Sequence, residues 1–314
     1  MVKDMTTGSP TRLILFFTLP LLVGNIFQQL YNMADTIIVG RTLGYKALAA
    51  VGGSSGSIMF LVFGFFFGLT CGLAVITAQR FGAHDEDGVR RSVAASLVMC
   101  AVITAAVTLL CVLGARPVLE LMRTPEDIID ETYNYLIVMF WGGWTIVFYG
   151  MLSSIIRALG DSRTPLYFLI ISSIVNVVLD FYFILSLKSG VAGAAWATVI
   201  AQGLSGVLCL VYMLRKFPIL RLRRRDWIFN AQFYWDHLRV ALPMAFQFSV
   251  TAVGVLVLQT ALNGFGSVAV AGYTAAARID QLAIQPLFSF SIAMATFAAQ
   301  NYGAGNIPRI RDGV

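Results

Sequence analysis

Charge is what this chain lacks. Only 12% of its 314 residues are Asp, Glu, Lys or Arg, about half the share of an ordinary soluble domain. That excludes a soluble enzyme and a disordered chain. Histidine is nearly missing. His84 and His237 are the two, neither falls inside a long apolar run, and both are expected at helix ends in solvated loops. A membrane-embedded enzyme built on a metal cluster or a Ser/His pair therefore has no residues to use. The four cysteines (Cys71, Cys100, Cys111 and Cys209) have no Cys-x-x-Cys spacing and read as small core residues. No Gly-x-x-x-x-Gly-Lys-Ser/Thr loop occurs, so nothing in this chain cradles ATP. No cofactor is expected, and the chain reads as a non-enzyme.

What is there is apolar sequence, 58% of the chain, with 23 phenylalanines and a mean hydropathy of +0.79. A bilayer core needs about 20 apolar residues per spanning helix. Windows of that length give eight spans: 13–39, 54–79, 92–114, 132–156, 165–187, 191–214, 238–262 and 273–300. The runs lack period-2 alternation, which argues against a β-barrel. The first span is too long for a signal peptide and carries Asn25, Gln28, Gln29, Asn32 and Asp35. With the N-terminus inside, sixteen Lys and Arg fall on the inner loops and five on the outer. Positive charge marks the cytoplasmic side, so the sequence predicts a multi-pass protein of the cell (inner) membrane with a cytoplasmic N-terminus. The same asymmetry explains the net charge of +6 without a nucleic-acid partner. The basic run at 221–225 reads as an anchor beside anionic lipid.

The sequence repeats itself. Leu19-Pro20 recurs as Leu242-Pro243, Gly44-x-x-Ala47-x-Ala49 as Gly266-x-x-Ala269-x-Ala271, and Ala78-Gln79-Arg80-Phe81-Gly82-Ala83 as Ala299-Gln300-Asn301-Tyr302-Gly303-Ala304, at offsets of 223 to 221. Six spans precede the second copy, so both copies enter the membrane from the same side. That is a parallel repeat about an axis along the membrane normal, an architecture of secondary transporters. The predicted fold class is an all-α polytopic membrane protein, a two-lobe parallel six-helix repeat. It comprises a complete N-lobe (1–214, helices one to six), a basic cytoplasmic linker (215–237) and the first two helices of a C-lobe (238–314). A full duplication at this offset implies roughly 440 residues and twelve helices, so the chain is expected to stop short of a complete C-lobe.

Ionisable groups deep in a span are expensive, about 2.5–3.5 kcal/mol on insertion scales, and are functional by default. Of sixteen acids, Asp35 and Asp180 lie deep. Asn25, Gln28, Asn32 and Asp35 are spaced 3, 4 and 3, and read as one polar stripe on helix one, with Pro20 near its start to bend it. Ser173, Asn176 and Asp180 share a face of helix five, and Thr198 and Gln202 one of helix six. Such faces belong inside the first bundle. Two carboxylates meeting there repel when ionised. Either one holds a proton, or the pair binds a cation such as Na⁺ with the oxygens of Asn176 and Thr198. Gln247 and Thr251 on helix seven, with Gln259 and Asn263 beyond, are expected to line a cavity toward this bundle, together with Gln28, Asn32 and Gln202.

At these residues the chain resembles the multidrug and toxic compound extrusion (MATE) transporters, in the prokaryotic branch named for the DNA-damage-inducible protein F. The carriers are Leu19-Pro20 with the stripe to Asp35, Gln79-Arg80-Phe81-Gly82-Ala83, Arg157-Ala158-Leu159-Gly160-Asp161-Ser162-Arg163-Thr164-Pro165, and Asn176-x-x-x-Asp180. The resemblance implies a twelve-helix antiporter of two six-helix lobes. It would export organic, often cationic or amphipathic, compounds against inward H⁺ or Na⁺ by alternating access. It also implies a cation site at Asp35, Asn176, Asp180 and Thr198. No glutamate lies on helix seven, which favours coupling in the N-lobe. Small organic molecules and membrane lipids are the implied partners, and a monomer the implied state. The alternatives are a lipid-linked oligosaccharide flippase of the same fold, which would need a basic central cavity where the deep N-lobe helices read as acidic, and an inactive transporter fragment.

Overall fold

The computed structural model describes residues 4–122, 124–227, 230–263 and 267–313. The side chains at 225, 256, 259, 260, 262, 263, 267–279, 281 and 282 are not among those described. Gln259, Asn263, Arg278, the Gly266/Ala269/Ala271 half of the repeat, and Lys3, Arg123 and Arg225 of the charge count therefore lie outside the described residues.

Ten α-helices run in chain order: α1 (Pro10–Leu43), α2 (Tyr45–Gly52), α3 (Ser54–Gly82), α4 (Glu86–Leu121), α5 (Ile129–Ala158), α6 (Arg163–Phe181), α7 (Gly190–Lys216), α8 (Ala231–Asn263), α9 (Ser267–Gly303) and α10 (Ile307–Gly313). No strand occurs among the described residues. Seven stretches are long and apolar enough to cross a membrane: Pro10–Leu43, Tyr45–Gly82, Glu86–Leu121, Ile129–Ala158, Arg163–Ser186, Gly190–Lys216 and Ala231–Val255. The eighth expected span lies within the long helix α9. The short helix α2, which precedes span two, has no counterpart among the expected spans.

Local chemistry sets the helix ends. Asp85 caps α4, accepting from the Gly88 amide at 2.8 Å. The Arg-Ala-x-Gly-Asp-x-x-x-Pro element is a tight turn between α5 and α6. Gly160 takes φ +88°, a conformation glycine adopts without strain. Buried Asp161 accepts from the amides of Arg163 and Thr164, from Thr164 Oγ1 and from the Tyr212 hydroxyl. This aspartate caps α6 and pins it to α7.

Two features depart from expectation. The connection between the lobes covers 217–230, because α8 begins at Ala231. It is also docked. Phe217 and Leu220 enter the main apolar core, and buried Asp226 lies 3.6 Å from the guanidinium of Arg90 on α4. Arg221, Arg223 and Arg224 remain exposed. His237 is not a solvated loop residue. It lies in α8, fully buried. Its Nδ1 meets the Phe233 carbonyl at 2.8 Å and its Nε2 meets Ser92 Oγ at 2.8 Å, with Thr77 Oγ1 3.0 Å beyond. A carbonyl can only accept, so Nδ1 carries the proton and Nε2 accepts from Ser92. The chain ties α8 to α4 and α3.

The repeat becomes visible as packing. Helix α3 packs most extensively on α8, and α1 packs on α9. At Gly68 and Gly72 the α3 backbone rests on Met244, Ala245 and Ala241 of α8, with no room for a Cβ. Small residues let membrane helices approach this closely. At the end of the bundle that carries the N-terminus, Gly82 lies on the backbone of Gln300, and Gly303 on the backbone of Gln79. Each copy of the repeated Gln-x-x-Gly thus seats its glycine on the other copy's glutamine, as an axis between α3 and α9 requires. Gln300 further donates to the Ala158 carbonyl at 2.8 Å and accepts from the Met5 amide at 2.9 Å. Asn301 and Arg309 hold the Met5 carbonyl. The segment that leads into α1 and helices α3, α5, α9 and α10 are thereby joined at this end.

Candidate functional site

Helices α1, α6 and α7 bring the expected cation residues together. Asn176 and Asp180 are fully buried on one face of α6, and Asp35 of α1 lies near enough to Asp180 for their charges to interact. Asn176 Nδ2 donates to Thr198 Oγ1 of α7 at 3.4 Å. Asp35 Oδ1, Asn176 Oδ1 and both carboxyl oxygens of Asp180 are buried without a hydrogen-bond donor. Four acceptor oxygens on neighbouring helices are thus buried with no donor. Left ionised, this arrangement repels and is poorly solvated. A proton shared by the carboxyls, or a small cation held by the oxygens, satisfies it. The donor set, carboxylate and amide oxygens with a hydroxyl beside them, suits a hard ion. Among the described residues there is no His/Cys/Asp/Glu cluster for a transition metal.

Two tyrosines escaped the sequence reading. Tyr31 is buried and donates to Thr198 Oγ1 at 3.4 Å. Tyr135 of α5 is buried in the apolar cluster that holds Ile38 and Val39 of α1 and Ile184 just beyond α6. Tyr31 had a faint signal, since it shares a face with Gln28 and Asp35 at spacings of 3 and 4. Tyr135 had none. Directly beyond Asp180, α6 widens into a π-turn at Tyr182–Ser186, an irregularity that often accompanies functional residues.

The expected stripe on α1 splits in two. Asn25 and Asn32 are seven apart and fall within about 20° of each other on a helix, and so do Gln28 and Asp35. The two pairs are offset by roughly 60°. Gln28 and Asp35 face the N-lobe, whereas Asn25 donates to Ser289 of α9 at 2.9 Å and Asn32 is exposed.

Two adjoining cavities lie on the N-terminal side of the carboxyl pair. The first, about 240 Å³, is lined by Pro20, Gly24, Asn25, Gln28, Phe67, Tyr149, Ser153, Arg157 and Gln202 among others. The second, about 230 Å³, lies between α3, α5, α8 and α9, and Gln247 lines it. Phe67, Arg157 and Ile292 belong to both. Gln28 and Gln202 thus line the first cavity as expected, and Gln247 the second. Asn32 and Thr251 line neither, and the Thr251 hydroxyl bonds the Gln247 carbonyl of its own helix at 3.0 Å. Arg157, counted from the sequence as loop charge, is a cavity residue. From Gln28 to Asp35 is about 10 Å along α1 at 1.5 Å per residue. Gln202 and Thr198, one turn apart on α7, run the same way, so the faces that line the cavity continue into the acid pair.

This geometry defines a multi-pass helical membrane protein with a polar path inside a repeated bundle. The MatE family model matches residues 20–182 and 243–313, and the chain belongs to that family. It is 30% identical over 309 residues to a probable multidrug resistance protein, YpnP, of Bacillus subtilis, covering 98% of this chain and 68% of that protein. It is 28% identical over 219 residues to the DNA damage-inducible protein F of Escherichia coli, covering 65% of this chain and 44% of that one. A solved structure described as the outward-facing conformation of a multidrug resistance MATE family transporter superposes with a TM-score of 0.91 at 26% identity, over 99% of this chain and 69% of that one. The chain spans about two thirds of the length of the relatives it matches.

Proposed function

We propose that this protein is part or all of a secondary transporter that moves small organic compounds out of the cell in exchange for an inward H⁺ or Na⁺, with coupling seated in the N-lobe. The observation that carries this is the pair Asp35 and Asp180, on two different helices and near each other, with Asp35 Oδ1 and both Asp180 carboxyl oxygens buried and without a donor. Loading the pair with a positive ion removes the repulsion between α1 and α6. Emptying it restores that repulsion. Helix α1 is free to respond, because Pro20 removes a backbone hydrogen bond inside it. The moving half of α1 carries Gln28 into the cavity wall, so ion occupancy alters the cavity in which the substrate sits. Linkage then requires that substrate weaken ion binding by the same factor. The excess of Lys and Arg on the inner loops supports a cytoplasmic N-terminal side. The joined ends of α3 and α9 then leave the path closed to the cytoplasm, as in the outward-facing structure it matches.

The test is efflux of a fluorescent organic dye from proteoliposomes holding the protein under imposed pH or Na⁺ gradients. Asp35→Asn and Asp180→Asn are each expected to abolish the dependence on the gradient. Gradient-driven efflux of normal size in both variants rejects the site.

A further inference from the structure

We propose that Arg157 is the recognition point for an acidic group on the transported compound: a carboxylate, sulfonate or phosphate. This deepens the reading of the two cavities as the substrate path and rests on it.

Arg157 lies in the last turn of α5 and lines both cavities. Among the described residues it is the one charged side chain that lines either. The other lining groups are apolar or neutral, with Asn25, Gln28, Tyr149, Ser153, Gln202 and Gln247 among those that supply the polarity. No carboxylate among the described residues forms an ion pair with it. Its recorded partners are neutral, with Nη2 donating to Ser154 Oγ at 2.8 Å and the Cys71 thiol close by. Asp161, four residues on, is committed to the turn and to Tyr212.

A guanidinium has five N–H donors in a planar fork, and the neutral partners use a small part of them. In a wall of low dielectric an unpaired cation attracts an anion far more strongly than in water. The fork fits carboxylate and phosphate oxygens two at a time. Favourable alignment with the α5 carbonyls accounts for a cation at this helix end, but not for its place in two cavity walls. The arginine also repels an ammonium group brought to the same spot, so a compound carrying one must turn it away, toward the acid end of the path.

The test is fluorescence titration of the protein in lipid nanodiscs with three probes on one fluorophore: dansylglycine, bearing a carboxylate, its neutral amide dansylglycinamide, and dansylcadaverine, bearing an ammonium. Dansylglycine is expected to bind about tenfold or more tightly than its amide, as one charged hydrogen-bonded pair allows. Arg157→Gln is expected to remove that preference, and Arg157→Lys to retain part of it. Equal binding of acid and amide by the unaltered protein overturns the proposal without any variant. So does tightest binding of dansylcadaverine, or a preference that survives in Arg157→Gln. Phe67→Ala, in the wall shared by both cavities, separates the two levels. If it weakens all three probes while charge makes no difference, the cavities stand as the path and acid recognition fails. If it affects none of them, both fail.

Discussion

At the residue scale, the proposed ion site carries a cost in stability. Four buried acceptors without a donor cost free energy, and each missing hydrogen bond at a buried group is worth about 1–3 kcal/mol. Asp180→Asn supplies two N–H donors to that pocket and removes one like charge. The variant is therefore expected to melt at a higher temperature than the parent in ion-poor buffer, while losing coupled transport. Thermal unfolding in detergent measures this, and a lower melting temperature contradicts it. The coupling ion follows from the same experiment. A ligand that binds only the folded form raises the melting temperature, so replacing choline chloride by NaCl at fixed pH raises that of the parent, and not of Asp180→Asn, if Na⁺ is the ion. No difference between the two salts in the parent points to H⁺. The acids were legible because charge in hydrocarbon is rare enough to need a reason. Tyr135 was not, because an aromatic in an apolar run is ordinary. Arg157 and His237 were misread for a shared cause. Both sit near helix ends, where a sequence cannot separate a solvated residue from one that a neighbouring helix covers.

At the element scale, spacing along one helix gave the right faces only to within a quarter turn or so. Residues 3 and 4 apart share a side, yet the roughly 60° between the Asn25/Asn32 pair and the Gln28/Asp35 pair decides whether a side chain meets α9, the open side or α6. Which neighbour stands there is tertiary information. The same holds for the linker. Its basic composition was plain, but its docking depends on Asp226 finding Arg90, whose side chain is 8% exposed. Asp226 also accepts from the Arg223 amide at 2.7 Å, and Arg90 keeps Asp87 and Glu86 as partners, so Asp226→Ala is expected to cost about 1.5–3 kcal/mol, the range for a hydrogen bond to a charged group, and not the full penalty of a stranded buried charge. Limited proteolysis is the more sensitive readout: cleavage within 217–230 should accelerate. Helix α3 makes a harsher demand. At Gly72 a side chain collides with the α8 backbone at Ala241, which cannot rotate away. Gly72→Leu is expected to exceed the usual overpacking cost of about 1–3 kcal/mol and to lower the melting temperature sharply, whereas Gly52→Ala, at a site with open space, should leave it nearly unchanged.

At the scale of the whole molecule, the repeat explains more than helix number. Two copies of Gln-x-x-Gly, 221 residues apart, meet tip to tip at one end of the bundle. The sequence showed the copies. It could not show that they touch, because a repeat fixes a symmetry axis but not the distance of each copy from it. If this contact is the closure, enlarging either glycine must open that end, and the two substitutions must act alike. Cys71 provides a native reporter, since it lines the second cavity. With Cys100, Cys111 and Cys209 replaced by Ser, a membrane-impermeant maleimide added on the N-terminal side should label Cys71 slowly in the otherwise unaltered protein and much faster in Gly82→Val or Gly303→Val. If the path alternates as proposed, labelling from the opposite side should fall in the same variants, because opening one end then closes the other. A response to Gly82→Val alone would mean that the contact is packing peculiar to α3, and the closure would then have to lie with Gln300, Met5 and Ala158, where Gln300→Ala gives the corresponding measurement.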